Sequence, residues 1–259
     1  MTAAESFTPL ELDFLWESLG AGELPYPFEL RSHGATIGER GALRQRTLAE
    51  LQKRQVLDDT GRVVPHIEDL LLLLAQAEST VDAVYLTEPN SPPLRVLSAA
   101  GADRAVLARQ DGDGFRIGQV PPTALASSIV DALPPAPRGS EQSISLPADE
   151  LTSAQRQGFQ PLGGGRASED DTRKALGRLF DQQRLRGGQF AANARNRMGA
   201  RSRSRVLGWF DTDSGRYLSQ TTGSFDGREW ITIAPADAPT LRHRVGEMLS
   251  GVQAATAVR

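Results

Sequence analysis

Asp211 and Asp213 form the carboxylate pair in this chain whose spacing invites chemistry, either acid/base work or the ligation of a metal ion. They lie in Asp211-Thr212-Asp213-Ser214-Gly215, a run with the composition of a hairpin turn. A working carboxylate needs a perturbing environment that a turn does not supply, so a turn is the reading. Gly112-Asp113-Gly114 resembles the start of a dinucleotide fingerprint, but the third glycine falls one place late, at Gly118, and a strand follows where a helix is required. Asp111 and Asp113 could open a calcium loop, yet Phe115 occupies the next ligand position and no Glu closes the loop. Gly163-Gly164-Gly165 has no Gly-Lys-Ser/Thr after it, Ser224 lacks the spacing of a nucleophile elbow, and His33 sits in a turn or cap setting. Nucleophile, base and orienting residue never come together, and an enzyme is not expected.

Arg195, Arg197, Arg201, Arg203 and Arg205 could neutralise phosphates, which makes a nucleic-acid-binding regulator using segment 195–205 the alternative function. No aromatic residues are interleaved for base stacking, so a solvated loop is preferred. On that reading these arginines are mostly exposed, and replacing three of them by Gln changes stability little.

Composition narrows the class. The chain has 259 residues, 39% of them hydrophobic, enough for a substantial core. No cysteine is present, which removes disulfides, thiolate metal sites and cysteine nucleophiles, and the three histidines are far apart. No metal or cofactor is expected. Net charge is −3, with basic residues concentrated between Leu151 and Arg205. No basic-then-apolar segment opens the sequence, and the longest apolar run, Leu70 to Ala75, is too short to cross a bilayer. A soluble cytoplasmic protein follows.

The elements that position these residues are two strand meanders. Val81–Leu86, Leu94–Ala99, Arg104–Arg109 and Phe115–Val120 read as strands separated by Pro-rich and Asp-Gly turns; Val206–Phe210, Arg216–Gln220 and Glu229–Ile233 repeat the pattern. Each meander ends in a proline, Pro121 or Pro235, and runs into a helix with apolar residues four apart: Leu125, Ile129 and Leu133, then Leu241, Val245 and Leu249. The repetition predicts two related halves around one sheet, about 1–137 and 138–259, within a single domain. Ser143–Leu146 and Gly188–Ala194 are further strands. Thr8-Pro9-Leu10-Glu11 is a capping box with Pro at the first helical position, Phe7 and Leu12 form its staple, and Gly20 ends the helix. Leu24-Pro25-Tyr26-Pro27-Phe28 reads as extended, leading into an edge strand over Phe28–Leu30. Thr36 to Glu39 is a second capping box for a helix reaching about Gln55, and Pro65 starts a buried helix. Leu133 to Gly139 reads as a linker, a helix starts near Pro147, Pro161 to Arg166 reads as flexible, Ser168 to Asp171 caps a helix, and Gly251 to Arg259 frays.

Several of these segments, in order, resemble the EspG family, the ESX (type VII) secretion-associated chaperones of actinobacteria. They are Thr8 to Asp13, Leu24 to Phe28, Ser32-His33-Gly34-Ala35-Thr36 with Glu39-Arg40, Gly188-Gln189-Phe190 with Arg195, Trp209 to Asp213 with Gly215-Arg216-Tyr217, and Ala234 to Asp237. The resemblance implies an α+β fold, a central antiparallel sheet flanked by helices in two pseudo-two-fold related halves. It also implies a non-enzymatic cytosolic chaperone that covers the apolar tip of a helical PPE-type protein, keeps it soluble and delivers it to a secretion machine. The turn Glu88 to Pro93 is short where that loop can be long in the family. No small-molecule substrate or membrane insertion is implied, and a monomer or weak homodimer is expected.

A sheet covered by helices on one face can offer its other face, and the turns at its end, to a partner helix. The expected partner-binding residues are therefore the turn Tyr85, Leu86, Thr87, Glu88, Pro89 and Asn90, with Trp209, Tyr217 and Trp230 as aromatic anchors. Leu86→Arg or Glu88→Arg is expected to weaken the partner by at least ~1 kcal/mol.

Overall fold

The computed structural model describes residues 4–112, 114–151, 167–196, 198–223 and 227–257, with the backbone alone over 167–173. The glycine run at 161–166, Asp113, Arg197, Ser224 and the capping side chains at 168–171 lie outside the described residues.

Both meanders form as the turn chemistry dictates. In the first half the strands are β1 (Glu5–Phe7), β2 (Ser79–Leu86), β3 (Leu94–Gly101), β4 (Arg104–Asp111) and β5 (Gly114–Val120). In the second they are β6 (Ile144–Pro147), β7 (Arg186–Arg195), β8 (Arg201–Arg203), β9 (Leu207–Thr212), β10 (Gly215–Gly223) and β11 (Glu229–Pro235). All join one antiparallel sheet, ordered β1-β5-β4-β3-β2-β7-β9-β10-β11-β6, with β8 on β7. Read outward from the centre, the halves are β2-β3-β4-β5-β1 and β7-β9-β10-β11-β6. In each half the first strand is outermost, beside the last strand of the meander. The halves meet where β2 pairs with β7, from Ser79↔Ala194 to Leu86↔Gly187.

The helices are α1 (Pro9–Ser18), α2 (Ile37–Lys53), α3 (Pro65–Gln76), α4 (Leu125–Asp131), α5 (Ala167–Asp181) and α6 (Ala238–Ala257), and residues 148–151 are helical as well. Strand alternation sorts the sheet into two faces. One is covered by α4 and α6, whose Ile129, Leu241, Val245 and Val252 pack on Val81, Ala83, Tyr85, Phe190, Trp209 and Leu218. The other carries two separate helical layers. Leu12, Leu15, Leu51, Leu71 and Leu74 of α1–α3 cover Leu97, Val106, Phe115 and Ile117. Leu176 and Leu179 of α5 cover Phe210, Tyr217 and Ile233. Helices thus lie on both faces, not on one, and among the described residues the second face keeps an open strip between its two layers.

The caps behave as local chemistry requires. Thr8 and Glu11 exchange both hydrogen bonds of the capping box, Phe7 and Leu12 are buried together, and Gly20 takes φ +58° after α1. At α2, Thr36 Oγ1 accepts from the Glu39 N–H, but Glu39 reaches past the cap to the Ala35 N–H. Other expectations are corrected. Phe28–Leu30 is not a strand: the segment turns at Pro25–Phe28, and the Gln110 side-chain amide takes up both backbone groups of Glu29, which a ladder would need. The C-terminal segment does not fray at Gly251, since α6 continues to Ala257 with Val252 and Thr256 buried and Asn196 Nδ2 donating to the Thr256 carbonyl. Leu133–Gly139 is a strap pinned to the second half. Arg216 Nη2 donates to the Pro134 carbonyl, Arg186 Nη2 to that of Pro135, and the Arg216 N–H to that of Pro137. A Cβ at Gly139 would stand 2.4 Å from the Tyr217 ring, so only glycine fits there.

His33 belongs to a structural cluster. Asp13, on α1, accepts from the His33 N–H at 2.9 Å and from Arg40 Nη1 at 2.9 Å and Nη2 at 3.2 Å, and Arg40 also reaches Glu17. Burial alone would raise the Asp13 carboxyl, but the hydrogen bonds from Arg40 and His33 outweigh it and hold the group below the ordinary aspartate range. A depressed folded-state pKa contributes stability above the unfolded value, near about 3.9, and loses it as pH falls through the folded value. The melting-temperature gap between wild type and Asp13→Asn should therefore be full at pH 6 and close below about pH 4. A gap that stays constant down to pH 2.5 would show that charge at Asp13 is not what ties α1 to α2.

Candidate partner-binding site

The open strip runs along β2 and β7. Its floor is built from residues on the face away from α4 and α6: Val84 and Leu86 on β2, Gly187 and Gln189 on β7, Gly208 on β9 and Ser219 on β10, all in register. Small or polar residues on β7, β9 and β10, namely Gly187, Gln189, Gly208 and Ser219, leave a hollow that neither described helical layer fills.

At the end of the strip where β2 stops, a cavity of about 630 Å³ opens. One wall is the turn after β2. Ser91 fixes it by donating to the Glu88 carbonyl and accepting from the Glu88 N–H, and Asn90 adopts φ +66°. The opposite wall is the end of α5 and the segment leading to β7, with Phe180, Arg184 and Leu185. That segment is held at both ends: Ser214 Oγ donates to Gln182 Oε1 at 2.6 Å, and the Leu185 N–H donates to the Asp211 carbonyl at 2.9 Å. Leu86 and Leu185, at 38% and 36% exposure, line the mouth from the two walls with no other described residue covering them. A second cavity of about 610 Å³ lies at the other end of the strip, between Leu24–Tyr26, Thr80, Asp82, Asn193 and β8.

The residues expected to bind a partner separate into three groups. Leu86, Glu88, Pro89 and Asn90 line the cavity mouth, with Thr87 in the same turn. Tyr85, Trp209 and Tyr217 are core residues at 2%, 2% and 0% exposure, so their rings pack inside, with Trp209 also bordering the cavity. Tyr85 and Trp209 pack tilted at 5.8 Å under α4 and α6, and Tyr217 stacks on Phe210 at 5.6 Å. Trp230 is 36% exposed but pairs with Thr222, in phase with Leu218, so it stands on the opposite face from the cavity. Phe180, Arg184 and Leu185 were missed because they become neighbours of the β2 turn only when β2 pairs with β7.

The basic segment is engaged within the fold. Arg203 pairs with buried Asp82 at 2.7 Å, Arg205 with Glu229 at 3.0 Å, and Arg195 donates to the Gln76 carbonyl at 2.7 Å. A phosphate-binding stripe is not supported. Asp211 is not an exposed turn residue either: it is 1% exposed, at the end of β9, and is occupied by Arg186 and Arg216. Among the described residues no group of three or more His, Cys, Asp or Glu could hold a metal ion, and no helix is long and apolar enough to cross a membrane.

The EspG family model matches residues 8–247. No curated protein matches the chain in sequence. Among solved structures, the chain is similar to the Mycobacterium tuberculosis type VII secretion system chaperone EspG5, solved in complex with a PE25–PPE41 dimer. The TM-score is 0.72 at 16% identity, with 96% of each chain covered.

Proposed function

Because the chain belongs to the EspG family, we propose that it is a non-enzymatic cytoplasmic chaperone of type VII secretion that covers the apolar tip of a helical PPE-type protein. The observation that carries this reading is the strip left open between the helical layers, ending in a cavity with unpaired leucines on both walls. An apolar helical tip exposed in water self-associates unless it is covered, and an open groove with an apolar mouth is the complementary shape. The partner named in the EspG5 complex, a PE–PPE dimer, supports the same class of partner here. On this reading the contact is made by the turn Leu86–Asn90 with Phe180 and Leu185, and the two halves form one domain because each alone would expose β2 or β7 as a long bare edge.

The test is co-expression with the helical secreted proteins encoded beside this gene, followed by pull-down and calorimetry. Leu86→Arg and Leu185→Arg should each weaken binding at least about tenfold, since a charge must be desolvated in an apolar contact. Trp230→Ala, on the opposite face, should leave affinity within about twofold. Unchanged affinity for both arginine variants, with melting curves intact, would move the interface off this cavity.

A further inference from the structure

The cavity mouth carries one charge of each sign, on opposite walls. Arg184 is exposed at the α5–β7 wall, and Glu88 is exposed on the β2 turn. Arg184 is not a loose surface arginine. Its guanidinium lies 4.7 Å from the Phe210 ring centroid and 5.5 Å from that of Phe180, and the segment carrying it is anchored at Gln182 and Leu185. Stacking on two rings holds the guanidinium plane while leaving its edge N–H groups for another acceptor. Among the described residues neither Arg184 nor Glu88 forms an ion pair, although most other arginines of this half do. Glu88 is likewise placed by its turn, through the bonds to Ser91.

We infer that these two residues set the polarity of the groove: it selects a helical tip with a carboxylate on the shoulder meeting Arg184 and no acid on the shoulder meeting Glu88. This rests on the chaperone reading of the same cavity and adds what the occupant's shoulders must carry. Apolar area between Leu86 and Leu185 gives attraction without orientation. The fixed charges distinguish one docking direction, and one tip, from another, because like-charge juxtaposition at a contact is costly.

The probe is a synthetic two-helix hairpin with a Leu/Phe tip, made with Glu, Gln or Lys on the first shoulder and titrated by fluorescence anisotropy at low and high salt. Wild-type protein should bind the Glu hairpin about tenfold tighter than the Lys hairpin, and the gap should narrow with salt. Arg184→Glu should reverse the order. Arg184→Lys should keep the order with a smaller gap, because the charge remains and the ring-stacked plane does not. Equal binding of the three hairpins, or an order untouched by Arg184→Glu in a protein that melts normally, overturns this inference and leaves the groove as a site without polarity. Failure of every hairpin to bind overturns the groove reading and this inference together.

Discussion

Asp211→Ala should lower the free energy of unfolding by about 3–5 kcal/mol, the effect of leaving buried Arg216 without its carboxylate, and Arg216→Ala by less, about 2–3 kcal/mol, because Arg186 still pairs with Asp211. Both side chains are 2% exposed. Arg216 donates from Nε to Asp211 Oδ1 at 2.7 Å and from Nη2 to Oδ2 at 2.9 Å, and Arg186 Nε completes the carboxylate at 2.6 Å. Arg216 Nη2 also donates to the Pro134 carbonyl, and its guanidinium lies 4.7 Å from the Trp209 ring centroid. The pair thus links β9 to β10 and fastens the strap between the halves, so its loss should loosen 133–139 as well as the sheet. Urea unfolding and amide hydrogen exchange of the strap check both parts. Asp213→Ala, two residues on but exposed, should stay within about 0.5 kcal/mol. The double variant Asp211→Leu/Arg216→Met should recover much of the loss, because two apolar side chains carry no desolvation penalty. A loss below about 1 kcal/mol for both single variants would show that water replaces the missing partner.

Arg203→Gln should cost about 2–3 kcal/mol, whereas Arg201→Gln and Arg205→Gln should each cost within about 0.5. The difference comes from the partner. Asp82 points into the open strip yet is 2% exposed, because Arg203 reaches across from β8 with Nη1 at 2.7 Å and Nη2 at 3.1 Å from its oxygens. Asn193 Nδ2 donates to the same carboxylate at 2.8 Å and cannot neutralise it. Arg203 is itself 43% exposed, which places the cost below that of a fully enclosed pair. Its guanidinium lies 5.3 Å from the Tyr26 ring centroid, so the variant should also free the Leu24–Tyr26 loop. Equal, small effects for all three arginines in chemical denaturation would restore the view of 195–205 as solvated charge.

Local rules carried far in this chain because the signals involved are short-range. The Pro-rich turn after β2, the Asp211–Gly215 turn and the Thr8–Glu11 box each act within a few residues, and each appears in the fold. The repeated strand, proline and helix foretold the matched strand orders of the two halves. The readings that failed share a different character. Asp211 is adjacent to a turn and has turn-like neighbours, yet Arg186, twenty-five positions away, closes over it. The proline-rich 133–137 looks like a linker by composition, yet the side chains of Arg186 and Arg216 and the Arg216 N–H, all from distant strands, pin it.

The candidate site divides along the same line. The turn Leu86–Asn90 was legible because a polar tip between two apolar strands has few other places to be. Its opposite wall was not, since Phe180, Arg184 and Leu185 are about a hundred residues away and meet the turn only through the β2–β7 pairing. Nor could alternation tell which aromatics would be covered: Trp209 and Trp230 share a face, and the placement of α4 and α6 buries the first and leaves the second half-open. The sequence by itself determined the strands of the two meanders, the two-fold plan and the family, because periodicity, capping and turn chemistry are local properties of the chain. Only the tertiary structure decided which charges are buried, which segment is a strap and where the sheet stays open, because each depends on helices and strands distant in sequence competing for the same area of sheet.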